Sequence, residues 1–254
     1  MANNTEFRVG GYKLLPPVIK NLLIINGLFF LATYAFATDM LGNIDLNHIL
    51  GLHYITASKF HIYQFVTYMF MHGSVAHIFF NMFALWMFGS ALENIWGTKR
   101  FLLYYFVTGI GAGVIQELAW TMDLWDVLSS HIQMINLSGQ ELIPKTEFLN
   151  HFVTVGASGA VYGLLLAFGM MFPNSLVYIY FLIPMKAKWF VVFFGALELF
   201  SGIASSIGTQ TSEIAHFAHL GGMIFGFLLI LHWKKQNKRK AKKMQQQYYF
   251  HQPH

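Results

Sequence analysis

The chain of 254 residues contains no cysteine, so disulfides, thiolate metal sites and a cysteine nucleophile are all excluded. Charge is scarce as well. Asp, Glu, Lys and Arg make up 11% of the sequence, against about 25% in an ordinary soluble domain. What fills the space is apolar, at 56% of residues. A chain with so little polar surface cannot cover a water-soluble globule, and lipid is its expected solvent. Its 26 Phe and 13 Met read as lipid-facing and core-filling side chains rather than as a cofactor pocket, and no cofactor and no metal is expected.

A bilayer core about 30 Å thick requires roughly 20 apolar residues per spanning helix. Six stretches qualify: Val18–Ala37, His77–Trp96, Phe101–Trp120, Val155–Phe172, Trp189–Ile207 and Ile214–Trp233. The fourth is short, and the connection before it, Thr121 to Thr154, is long. Leu176–Ile183 is too short to span and reads as part of the fourth-to-fifth connection. The basic residues test this arrangement independently. With the N-terminus cytoplasmic, 14 of the 16 Lys and Arg fall inside, and only Lys59 and Lys145 fall outside. Basic residues are retained on the cytoplasmic side because their translocation is disfavoured. The expected division is a cytoplasmic segment over residues 1–17, a helical membrane domain over 18–233 and a basic cytoplasmic tail over 234–254. The run Lys234–Lys243 directly follows the last span, which makes it an anchor on anionic lipid rather than a nucleic-acid site. Ala35-Phe36-Ala37 has the small-x-small pattern of a signal cleavage site, but its apolar stretch is long and starts well into the chain, which favours a retained helix.

Polar side chains inside a membrane are costly, so each is a functional suspect. In this topology the second, fourth and sixth stretches all run from outside to inside. The second carries His72, His77 and Asn81 at or just before its outer end. The fourth carries Ser158 in its first turn, and the sixth carries His216 and His219 in its first two. Hydroxyl, imidazole and amide groups thus share one layer in the outer part of the bilayer. Gly159 and Gly163 are four residues apart, as are Gly222 and Gly226, and small residues at that spacing let helices approach closely in lipid. The fourth and sixth helices are the expected contact pair, with Ser158 facing His219.

A serine hydroxyl is a weak nucleophile unless a base within hydrogen-bond reach takes its proton. His219 suits that role, and His216, one turn earlier, competes for it. Tyr162 lies four residues after Ser158 on the same face and can orient the imidazole. With no aspartate inside any span, the expectation is a two-residue dyad; Glu93 and Glu198 read as satisfying local hydrogen bonds. His77 and Asn81 share a helix face and can donate to a developing oxyanion, together with the backbone N–H of Ser158 beside Gly156 and Gly159.

At this point the residues match a pattern. From roughly Lys13 to Trp233 the chain resembles the rhomboid proteases: His72, His77 and Asn81 on the second helix, Gly156-Ala157-Ser158-Gly159 on the fourth, and His219, Gly222 and Gly226 on the sixth. The resemblance implies an all-α membrane protein, a six-transmembrane-helix rhomboid-like bundle with both termini cytoplasmic. It implies an intramembrane serine endopeptidase with Ser158 as nucleophile, His219 as base, His77 and Asn81 as oxyanion stabilisers, and Tyr162 packed against the catalytic histidine. The implied substrates are single-pass transmembrane proteins whose helix unwinds easily, with small residues at the cut, and the compact core suits a bacterial plasma membrane. Many members carry Trp-Arg or Trp-Gln in the first outer loop where this chain has Tyr63-Gln64.

Two rivals are weighed. A catalytically inactive relative that binds membrane proteins predicts a missing serine or histidine, and both are present. A small transporter predicts polar residues through the whole membrane depth and often an inverted repeat, whereas here the inner halves are nearly free of them apart from Asn21 and Asn26. No His-Glu-x-x-His and no paired membrane aspartates occur, which disfavours metal-dependent and aspartyl intramembrane proteolysis.

Overall fold

A computed structural model describes residues 11–37, 44–137, 141–179, 182–206 and 215–250. The chain is a bundle of six principal helices: α1 (Pro17–Phe36), α2 (Val75–Trp96), α3 (Thr98–Asp123), α4 (Ser158–Met171), α5 (Ala187–Ser206) and α6 (His216–Phe250). All but α4 are long and apolar enough to cross a membrane. The all-α membrane bundle expected from the sequence is therefore the one observed. Large apolar side chains cover its perimeter, among them Leu28, Leu31, Phe79, Phe80 and Phe200, all well exposed.

The short helix α4 is the centre of the bundle. It touches α2, α3, α5 and α6, and Ala160, Leu164 and Ala167 on it are fully buried. The most extensive packing is that of α6 against α3 and α4, and glycines make it possible. A Cβ on Gly222 of α6 would collide with the carbonyl oxygen of Gly159 on α4, and one on Gly163 would lie 2.7 Å from Thr108 of α3. Gly226 instead makes room for the Tyr104 hydroxyl of α3. The Gly159–Gly222 contact joins the two helices expected to pair, while Gly163 and Gly226 mainly serve α3.

Two boundaries differ from expectation for physical reasons. The fourth helix starts at Ser158 rather than Val155. Val153 and Thr154 are held extended, paired antiparallel with His53 and Leu52, and Gly156 has φ +127°, outside the range of helical backbone. The last helix does not stop at Trp233 but continues to Phe250, through a Lys-, Arg- and Gln-rich stretch of good helix formers with no Gly or Pro to interrupt it. The expected ends Ile207 and Ile214 lie outside the described residues.

The connections are ordered by polar side chains. Between α1 and α2, Gln64 is buried and uses its whole amide. Its Oε1 accepts from the N–H groups of His53 and His61, and its Nε2 donates to the carbonyls of Ile49 and Lys59. The long connection from α3 to α4 carries a hairpin pairing Met134–Leu137 with Glu141–Pro144. It folds back on the first loop, where Tyr54, Ala57, Trp120, Leu124 and Leu149 form a second small core. Leu176–Ile179 and Ile183–Lys186 pair as a hairpin between α4 and α5.

Helix α1 begins with Pro17, whose missing N–H is no loss at that position. The next two N–H groups, of Val18 and Ile19, donate to Glu93 Oε1 and Oε2 of α2, each at 3.0 Å. Glu93 thus caps a helix 75 residues away in sequence, besides accepting locally from the Thr98 hydroxyl at 3.5 Å.

Two outcomes test this packing. Replacing Glu93 by Ala leaves two buried donors unsatisfied at a helix start, and is expected to lower stability in detergent by about 1–3 kcal/mol. A thermal or denaturant melt of the purified chain reads this directly. Gly222→Val places a branched side chain against the α4 backbone and should lower the melting point by more than Gly195→Ala, whose added Cβ would meet only the flexible end of Met223.

Candidate active site

Three helix starts meet at one end of the bundle. Ser74 caps α2, its Oγ accepting from the N–H of His77 at 3.1 Å, and this fixes His77 in the first turn with Asn81 one turn on along the same face. Ser158 is the first residue of α4. It follows a turn tied to the loop between α1 and α2, where the Gly156 N–H donates to the Tyr68 carbonyl at 2.8 Å. Gly156 is required here twice over. Its φ of +127° disfavours any side chain, and a Cβ would sit 2.7 Å from His77 Nε2. On α6, the Gln116 side chain of α3 accepts from the N–H of Ala218 at 3.2 Å, one residue before His219.

The result is a contact between the two residues singled out by the sequence. Ser158 Oγ and His219 Nε2 are 2.8 Å apart. His219 is 7% exposed, and Ser158 is half-buried. The Tyr162 ring stacks on the imidazole, centroids 4.2 Å apart and planes within 10°. The first-turn N–H groups of α4 have no intrahelical partner and carry the positive end of its dipole, so they surround Ser158 with donors. Asn81 adds another. Its Nδ2 is buried without a partner among the described residues, a state that ordinarily costs about 1–3 kcal/mol and that a ligand oxygen would relieve.

Behind the imidazole lies a group the sequence reading assigned to a local role. Glu198 of α5, 6% exposed, receives the Tyr162 hydroxyl on Oε1. Its Oε2 lies 2.6 Å from His216 Nδ1 and 3.0 Å from His219 Nδ1. The second distance is in ion-pair range, although the approach is off the line of a good hydrogen bond and leaves His219 Nδ1 without one. A carboxyl group therefore stands beside the histidine that the sequence pairs with the serine alone, and a glutamate supplies it. His216 faces Glu198, and not Ser158. A signal for this existed, since Glu198 is the one acidic residue in the apolar run Trp189–Ser206, and an ionisable residue in a span is suspect on those grounds alone.

His77, Asn81, Ser158, Tyr162 and His219 thus gather at one site, and Gly156, Gly159 and Gly222 shape the backbone around it, while Gly226 lies two turns from His219 against Tyr104. The His72 ring packs edge-on against His77 at 5.1 Å. Glu198, His216 and His219 also place three donor atoms within 4.8 Å of one another, the geometry of a possible metal site. Tyr162 and His216 engage the Glu198 carboxyl and Ser158 engages His219 Nε2, while His219 Nδ1 has no hydrogen bond among the described residues.

Comparison with known proteins places the chain in a family. The family model described as Rhomboid domain matches residues 59–235. Rhomboid-like protein 16, chloroplastic, of Arabidopsis thaliana is 25% identical over 223 residues, covering 87% of this chain and 62% of its own length. Rhomboid protein 1, mitochondrial, of Saccharomyces cerevisiae is 25% identical over 159 residues, covering 63% of this chain and 38% of its own. YdcA of Bacillus subtilis (strain 168), whose name includes the words rhomboid protease, is 28% identical over 169 residues, 66% of this chain and 65% of its own. The chain spans less than two thirds of the length of each of these curated relatives. A match over most of the chain, on a helical membrane bundle that brings a serine and a histidine together, has one consequence: the chain belongs to the rhomboid family.

Proposed function

We propose that the chain is an intramembrane serine endopeptidase that cleaves single-pass transmembrane proteins near the outer membrane boundary. The observation that carries the reading is the 2.8 Å approach of Ser158 Oγ to His219 Nε2. As the peptide carbonyl is attacked, the Ser158 proton passes to His219 Nε2 and the new C–O bond gives a tetrahedral oxyanion. On this reading the Asn81 amide, the His77 ring and the Ser158 N–H donate to that charge. Collapse sends the proton from His219 to the departing amine, and water then releases the acyl group from Ser158 by the same path in reverse.

A cavity of about 400 Å³ opens between α2, α4 and α5, with Asn81 and Tyr162 on its wall and Phe83, Met87, Leu165 and Phe194 among its apolar lining. It supports sideways approach of an extended, apolar segment from the lipid. The distribution of Lys and Arg supports a site on the outer side and cytoplasmic termini. On this reading residues 18–233 form the catalytic unit, with residues 1–17 and 234–254 on the cytoplasmic side, in a bacterial plasma membrane.

Reconstitution with a labelled transmembrane reporter tests the proposal. Ser158→Ala and His219→Ala are expected to abolish cleavage, and a fluorophosphonate should label Ser158 in the wild type, slowly in His219→Ala and not at all in Ser158→Ala. Asn81→Ala is expected to lower kcat about 10²–10³-fold, the usual effect of losing one oxyanion donor. Cleavage that survives in Ser158→Ala would refute the mechanism, and a wild-type chain that binds the reporter but neither cuts it nor labels would favour an inactive client-binding protein. Loss in His216→Ala without loss in His219→Ala would reassign the base.

A further inference from the structure

We infer that Glu198 is a positioning residue for His219, so that the site works as a serine–histidine–glutamate relay of contacts rather than as a dyad. This rests on the reading of Ser158 and His219 as nucleophile and base. An imidazole can accept the serine proton on Nε2 only if its own proton sits on Nδ1, and an acceptor facing Nδ1 selects that tautomer. Glu198 Oε2 is the acceptor available, at 3.0 Å. The carboxyl is itself fixed, by the Tyr162 hydroxyl on Oε1 and by His216 Nδ1 on Oε2 at 2.6 Å. Tyr162 in turn lies flat on the His219 ring. One carboxyl therefore restrains the imidazole from two directions: directly at Nδ1, and through the stacked ring it holds. His219 and Glu198 side chains are 9% and 8% exposed, so little water competes for these contacts. The off-line approach at Nδ1 is of the kind that tightens once substrate is bound.

Glu198 takes no proton in this scheme. The proton leaves Ser158 Oγ for His219 Nε2 and goes on to the leaving amine, while the Nδ1 proton stays on the ring and faces the carboxyl throughout. A side chain that only joined α5 to α4 and α6 would matter to stability and not to turnover.

The test uses the reconstituted full chain and reads kcat, KM, fluorophosphonate labelling of Ser158 and melting temperature together. Glu198→Gln keeps the shape and an acceptor for Tyr162 but can present an N–H to Nδ1, which favours the idle tautomer. It is expected to lower kcat about 10²–10⁴-fold, by analogy with the asparagine replacement in a serine protease triad, with KM within about twofold of the wild type. Glu198→Asp, which keeps the carboxyl on a shorter arm, should recover part of the labelling rate. In a His219→Ala background, Glu198→Gln should lower residual labelling no further, because its effect runs through the missing ring.

Full kcat in Glu198→Gln, or an equal loss with and without His219, would overturn this proposal alone, and so would a variant that only melts earlier. Dialysis against a chelator should leave activity intact; a loss restored by zinc would mean that Glu198 serves an ion and would also overturn it. A His219→Ala variant at wild-type rate would instead sink the protease reading, and this proposal with it.

Discussion

The backbone contact between Gly159 and Gly222 sets the geometry on which everything else depends. Ser158 and His219 belong to different helices, and a hydrogen bond between them tolerates only a few tenths of an ångström. In water such precision can come from burying apolar surface between helices. In lipid the hydrocarbon is as apolar as the side chains, so close packing and polar contacts must hold the helices together. Gly222 meets the Gly159 carbonyl with no room for a methyl group, and the hydroxyl of Tyr104 reaches across to the carbonyl of Gly163 at 2.8 Å. The distance between the Ser158 hydroxyl and the His219 imidazole is thus inherited from backbones in contact, which are far stiffer than side chains.

A second support comes from outside the helices. The turn before Ser158 has no regular structure of its own, and is held by the loop between α1 and α2 through the pairing at Leu52 and His53 and the bond from Gly156 to Tyr68. That loop is in turn organised by Gln64, whose four hydrogen bonds pull its two ends together. The order of the loop and the placement of the nucleophile are therefore one problem, solved by a single buried amide.

Much of this was legible before any coordinates, and the limits are instructive. Apolar length and the bias of basic residues gave all six helices, because both reflect the solvent directly. Gly-x-Ser-Gly and the spaced histidines gave the serine and the imidazole, since polar groups that share a depth in lipid have few other reasons to be there. Glu93 and Gln64 were invisible in role because each bonds to a distant part of the chain, and sequence spacing reports only which face of its own helix a residue occupies; Glu198 was marked only by being a lone charge in an apolar run. The start of α4 was misplaced for a related reason. Val155 and Ala157 are as apolar as the helix that follows, but the pairing of Val153 and Thr154 just before them and the backbone of Gly156 delay its start.

The length of α4 carries one more consequence. Its 14 residues amount to about 21 Å at 1.5 Å per residue, well short of a hydrocarbon core of about 30 Å. The shortfall lies in the middle of the molecule, whereas the helices around it keep full length. Hydrolysis consumes water, and a bilayer must remain impermeable to ions. By stepping down only at its hub, the bundle leaves its centre thinner than its rim, and on the proposed reading that is where the water a hydrolysis consumes would enter.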